Sequence, residues 1–121
     1  MSEPTTPLFA GAEPWRVTVA EAKAAEPPEG ARSALLMRHG SMSLRYYSPS
    51  AQDLQQPHNQ DEIYVVIAGS GTFVNDDDRV PFGPGDVLFS GAGQVHRFED
   101  FTDDFETWVV FYGPDGGEGA G

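Results

Sequence analysis

Residues 56–69 read Gln56-Pro57-His58-Asn59-Gln60-Asp61-Glu62-Ile63-Tyr64-Val65-Val66-Ile67-Ala68-Gly69. A histidine stands four residues before a glutamate, at the head of a β-branched run that a glycine ends. In a strand, residues of one parity share a face. Gln56, His58, Glu62, Tyr64 and Val66 therefore point one way if the Asn59–Asp61 loop preserves the parity, and Ile63, Val65 and Ile67 point the other. A glutamate on the inner face of a β-protein is costly unless it is paired or metal-bound. His96 follows the Gly-rich turn at Gly91-Ala92-Gly93 and comes from another strand. Two imidazoles and one carboxylate are the ligand set of an open metal site.

Working outward from this stretch, short strands recur with Gly/Pro punctuation. The pattern predicts strands at Ala34–His39, Met42–Tyr47, Ile63–Ile67, Thr72–Asn75, Val80–Phe82, Val87–Phe89, Val95–Glu99 and Thr107–Tyr112. Turns fall at Asp76-Asp77-Asp78, Gly83-Pro84-Gly85-Asp86 and Gly91-Ala92-Gly93. Upstream, Trp15 to Val19 alternates as a short strand would. Thr18 with Glu21 forms a capping box before Ala20–Ala25, and Pro27-Pro28 stops that short helix. Many short strands and almost no helix predict a sandwich or barrel.

With 121 residues the chain is long enough for one core. The expected organisation is a flexible N-terminus over 1–12, a barrel domain over 13–113 and a flexible tail over 114–121. The net charge of −12 opposes binding to nucleic acid and to anionic membrane surfaces. The absence of cysteine excludes disulfides, thiolate catalysis and Cys-ligated metal. The N-terminal residues lack the basic and apolar regions of a signal peptide, and no apolar run reaches bilayer length, so a soluble cytoplasmic protein is expected.

The spacings resemble those of the cupins, small jelly-roll β-barrels. The family's first motif, G-x5-H-x-H-x3–4-E-x6-G, is matched from His58 onward by His58-x3-Glu62-x6-Gly69. Gln56 replaces the first histidine, and the opening glycine is missing near Ser50 and Ala51. The second motif, G-x5-P-x-G-x2-H-x3-N, is matched by Gly85-x5-Gly91-x-Gly93-x2-His96-x3-Asp100. Gly91 stands for the proline and Asp100 for the asparagine. The resemblance covers roughly residues 41–112. It implies an all-β, double-stranded β-helix barrel with a short N-terminal helix.

The resemblance also implies one divalent ion, iron, manganese, zinc or nickel, held by His58, Glu62 and His96 with Gln56 variable. An amide oxygen at Gln56 suits iron(II) or manganese better than zinc or nickel. Alternatively Gln56 orients a metal-bound water without touching the ion. Such a barrel acts on a small organic molecule as a dioxygenase, isomerase or lyase, with Glu62 and Gln56 as catalytic groups. A non-catalytic ligand-binding barrel and a vestigial site are the alternatives.

Tyr64 and Phe98 share parity with the ligands and are candidates for the pocket wall; ordinary core packing is the simpler reading. Arg45 and Tyr47 share the other face of their strand from Met42 and Leu44. If that face points inward, Arg45 can clamp a substrate carboxylate; a solvated arginine is the simpler reading. His39 is expected to be structural or exposed, Asp61 a turn or solvent carboxylate, and Asp103-Asp104 a solvated loop. Trp108 is expected in the core or on an oligomer face. A homodimer is expected because small jelly rolls leave sheet edges and faces to cover, with Ile63, Val65 and Ile67 serving a second sheet layer or the dimer face.

Overall fold

Alternating side chains build two antiparallel sheets around one interior. A computed structural model describes residues 8–9, 11, 15–25, 33–50 and 57–119. The elements run β1 (Leu8–Phe9), α1 (Val19–Ala24), β2 (Ala34–His39), β3 (Met42–Tyr47), β4 (Asp61–Ala68), β5 (Gly71–Asn75), β6 (Asp78–Phe82), β7 (Val87–Ser90), β8 (His96–Glu99) and β9 (Glu106–Tyr112). One sheet has the order β1-β2-β3-β9-β4-β7 and the other β6-β5-β8. The fold is an all-β jelly roll, with one short helix among the described residues. Among the described residues, no helix is long and apolar enough to cross a membrane.

The inner face of the larger sheet follows from the register. Ser43, Phe111, Glu62 and Ser90 form one row across β3, β9, β4 and β7. Arg45, Val109, Tyr64 and Leu88 form the next. Cross-strand partners share a face, so Arg45 and Tyr47 face the interior. Tyr47, Tyr64, Val66 and Val109 then pack with Phe73, Phe82, Phe98 and Phe105 into the main core. Phe98 is its hub, with Tyr64, Phe73, Phe82 and Phe105 all at 4.7–5.4 Å between ring centroids. Aromatic pairs at such separations add to the area they bury. As the parity of residues 62–67 predicts, Glu62, Tyr64 and Val66 are buried, whereas Ile63, Val65 and Ile67 are only partly covered.

A second, smaller cluster lies on the outer face of the larger sheet. There Ala22 of α1 meets Ala34 and Leu36, flanked by Val17, Leu44, Tyr46 and Trp108. Thr18 caps the helix: its hydroxyl accepts from Glu21 N, and the Glu21 carboxylate accepts from Thr18 N. That capping box takes Val19 into the first helical turn, which corrects the expected strand over Trp15–Val19. Trp15 instead has a left-handed φ of 65°, and Arg16 makes only an isolated bridge. The Tyr46 hydroxyl donates to Glu106, which also holds the Lys23 ammonium at 3.5 Å. Burial, and then the Glu106 carboxylate, push the Tyr46 phenol well above its ordinary range.

The remaining expectations map closely. Ala34–His39 and Met42–Tyr47 match β2 and β3 to the residue. Asp78 opens β6 instead of closing the preceding turn. Leu8–Phe9, inside the terminal stretch expected to be frayed, pairs with Met37 and Arg38 of β2. Gln56 and Pro27-Pro28 lie outside the described residues.

Candidate metal centre

Three side chains converge where the two sheets meet. Glu62 comes from β4, His96 from β8 and His58 from the segment leading into β4. One ligand atom from each lies within 4.8 Å of the other two. His96 Nε2 is 2.8 Å from Glu62 Oε1, and His58 Nε2 is 3.8 Å from Glu62 Oε2. Glu62 and His96 are buried, while His58 is half-buried and faces the way in.

Local chemistry fixes each ligand. His96 Nδ1 lies 2.9 Å from Gln94 O. A carbonyl only accepts, so Nδ1 carries a hydrogen, and Nε2 is the ring nitrogen directed at Glu62. Gln94 is itself tied down, donating through Nε2 to Asp76 and accepting from Gly91 N. Asp76 adopts φ 53°, a left-handed conformation that Asp tolerates, and its carboxylate also takes Val95 N. The His58 carbonyl accepts from Gly93 N at 2.8 Å, and Gly93 holds φ 80°, which explains a glycine at that motif position. Gly69, at the other end of β4, has φ 88°, and a Cβ there would stand 2.5 Å from Phe105 Cα. The Tyr64 hydroxyl donates to Glu62 Oε1.

The donor set fits a divalent cation. His96 Nε2 and a carboxylate oxygen lie 2.8 Å apart; with the ring neutral both are acceptors, and either a proton or a bound cation makes the contact favourable. Glu62 Oε2 is buried without a hydrogen bond, and so are Ser90 Oγ and Asn75 Oδ1. Ser90 is the cross-strand partner of Glu62, and Asn75 that of His96. Unmet polar atoms are rare in a protein interior. Here they gather around the same three ligands, as an interior prepared for an ion and its water would have them.

An open pocket of about 400 Å³ reaches the outermost of the three, His58. Its wall includes Ser43, Arg45, His58, Gln60, Phe111 and Asp115. Arg45 faces the pocket, with its guanidinium carbon 5.9 Å from the centre of the Phe111 ring. His58 meets the same ring edge-on at 4.9 Å. Tyr47, Tyr64 and Phe98 belong to the hydrophobic core; of these, Tyr64 reaches the ligands through its hydroxyl.

Asp61 fills one of its two expected roles, a carboxylate bound to a turn, and not the other, a solvent-facing one. It is buried, and it accepts from Ala92 N and Glu118 N. Those two amides, Glu118 first, hold its carboxyl below the usual range. Asp61 thereby ties the His96-side turn and residues 114–118 to β4. Gly116 N reinforces this by donating to Asn59 O. His39, Asp103 and Asp104 are exposed, and Trp108 packs beside α1.

Several site residues carry little sequence signal. Ser43 and Phe111 share a face with Arg45 and with the ligands, so register exposes them once β3, β9 and β4 are paired. Asp76 and Gln94 act through a turn-to-turn contact that no local pattern announces.

Residues 43–111 match the cupin domain family, and the chain belongs to that family. A relative from Streptomyces coelicolor, the uncharacterized protein SCO3923, is 32% identical over 81 residues, spanning 65% of this chain and 77% of its own. A Cupin 2 conserved barrel domain protein from Salinispora arenicola is 23% identical, with a TM-score of 0.60 over 85% of this chain and 91% of that one. An uncharacterized double-stranded β-helix protein from Klebsiella pneumoniae is 17% identical, with a TM-score of 0.66 over 83% and 90% of the two chains.

Proposed function

We propose that this chain is a metal-dependent cupin enzyme that transforms a small organic molecule, with dioxygenase-type chemistry as the leading class and isomerase or lyase chemistry behind it. The observation that carries the reading is the convergence of His58, Glu62 and His96, with His58 also lining an open pocket of about 400 Å³. That volume lies at the small end of ligand sites, which run from ~300 to ~1,000 Å³.

His58 Nε2, His96 Nε2 and the Glu62 carboxylate would hold one divalent ion, iron(II) or manganese best matching the oxygen-containing donor set. A bound ion of this kind supplies Lewis acidity and, for iron, access to dioxygen chemistry. The protein groups do the rest. Tyr64 orients the Glu62 carboxylate by donating to Oε1; the ion would sit against that carboxylate, and Oε2, buried without a hydrogen bond, is the oxygen left to take a proton from substrate. Gln94 fixes the His96 tautomer. Phe111 and His58 wall the pocket. The reading carries a homodimer and a cytoplasmic location with it; Val87 and Phe89, 64% and 50% exposed on edge strand β7, support the dimer.

The test is elemental analysis of protein purified without chelator or immobilised nickel, beside His58→Ala and His96→Ala. The expected result is near-stoichiometric metal in the wild type and loss in both variants, followed by substrate-dependent oxygen uptake by the iron-loaded protein. Wild-type protein that takes up none of iron(II), manganese or zinc would overturn the reading.

A further inference from the structure

Arg45 stands out within the pocket because nothing described neutralises it. The chain carries 19 acidic residues against 7 basic. Two other arginines, Arg79 and Arg97, both hold Glu99. Arg45 forms no ion pair among the described residues, although Asp115 lines the same pocket. It is half-buried on the inner face of β3. Arg38 is the cross-strand partner of Ser43, two residues from Arg45, and so shares its face. Burial, and then Arg38, disfavour the charged form of Arg45, yet an arginine stays protonated in proteins. A half-buried cation with a second cation on its face and Phe111 against it is favourably placed to receive an anion.

We propose that the pocket takes a small organic carboxylate, with the carboxylate on the Arg45 guanidinium and the reacting part of the molecule directed past Phe111 to His58, Glu62 and His96. This names the substrate class of the proposed enzyme and rests on that reading. The planar fork of arginine matches a carboxylate with two parallel hydrogen bonds. The Ser43 hydroxyl shares the Arg45 face and lines the pocket, and it supplies a further donor. Against a protein of net charge −12, this local positive spot selects which anions enter: those small enough to reach Arg45 past Asp115. A neutral molecule of the same shape leaves the guanidinium without its partner and binds weakly.

The experiment is a calorimetric titration of manganese-loaded protein with malonate, pyruvate and lactate, each beside its neutral amide. Wild type, Arg45→Gln and Arg45→Lys are compared, with manganese content measured on every sample. At least one carboxylate is expected to bind wild type and its amide not to. Arg45→Gln should weaken that carboxylate about 10- to 100-fold while keeping full manganese content, and Arg45→Lys should fall between. Equal affinity in wild type and Arg45→Gln overturns the inference. So does equal binding of acid and amide, or binding of none of the three acids by manganese-loaded wild type. If Arg45→Gln is unfolded by circular dichroism, Arg45→Lys decides: no loss of affinity overturns the inference. Wild type that takes up no manganese counts against the metal reading. Carboxylate binding by the same metal-free protein, lost in Arg45→Gln, would then still uphold the Arg45 assignment.

Discussion

Two halves of the barrel interior differ by a step of two residues. At one end β4, β5, β7 and β8 place Glu62, Asn75, Ser90 and His96; two residues along on the same faces stand Tyr64, Phe73, Leu88 and Phe98. The apolar half is closed: Tyr64, Phe73, Phe82, Phe98 and Phe105 interlock, and every one is at most 5% exposed. The polar half keeps buried atoms with unmet hydrogen bonds, Glu62 Oε2, Ser90 Oγ and Asn75 Oδ1. Glu62, Ser90 and His96 are buried as deeply as the rings, so exposure does not separate the halves; satisfaction does. The apolar half holds the sheets together, and the polar half spends some of that stability on an arrangement that only a ligand completes.

The apolar half is where truncation should cost most. Phe98→Ala removes the ring that five others pack against, and about 3–5 kcal/mol of stability should go with it. Urea unfolding measures this, and the surviving folded fraction should still bind metal. A loss below about 1 kcal/mol would mean that Phe98 is not the hub its contacts indicate.

The polar half should respond to ions instead. Manganese or iron(II) at about 100 times its dissociation constant should stabilise wild type by about 2.7 kcal/mol, read as a rise in melting temperature. The same addition should do nothing for His58→Ala. A rise of equal size in both proteins would place the ion elsewhere.

Exchanging polar for apolar groups should have a smaller effect, and of the opposite sign to Phe98→Ala. Glu62→Met with Tyr64→Phe and His96→Phe replaces the carboxylate and both buried groups that meet it by side chains that need no partner. Replacing every member of a buried polar cluster is often neutral or stabilising, by about 1–4 kcal/mol. We expect the metal-free triple variant to be at least as stable as wild type in urea and to have lost metal uptake. Destabilisation on the scale of Phe98→Ala would erase the distinction between the halves.

Much of this architecture is legible in the sequence. β2 and β3 follow from alternation between clear turns, and α1 from its capping box, because these signals are local. His58, Glu62 and His96 follow from motif spacing and from the parity of one strand. The orientation of Arg45 does not follow. It depends on which face of β3 joins the barrel, and that is set by pairing with β9 and by a bulge in β2 between Leu35 and Met37. Asp61 misleads because its partners, Ala92 and Glu118, are 31 and 57 residues away. A carboxylate next to a turn looks solvated until the chain that covers it is placed.

Asp61 also supplies the finest test, since it borders the polar half yet is fully satisfied. Amides of Glu118 and Ala92 hold its folded-state pKa below the ordinary 3.8. A depressed carboxyl pKa adds stability that is present above the unfolded value and disappears as pH falls through the folded one. The carboxamide of an Asp61→Asn variant does not titrate, and its nitrogen would face one of the two backbone donors. The variant should therefore melt lower than wild type at about pH 7. The gap between the two proteins should close as pH drops below 3.8. Glu99, held low by Arg79 and Arg97, titrates in both proteins and cancels from the comparison. A gap that stays constant from about pH 7 to about pH 2 would show that the Asp61 carboxylate does not carry its charge into those two hydrogen bonds. The link between residues 114–118 and the metal-side turn would then rest on backbone contacts such as Gly116 N to Asn59 O.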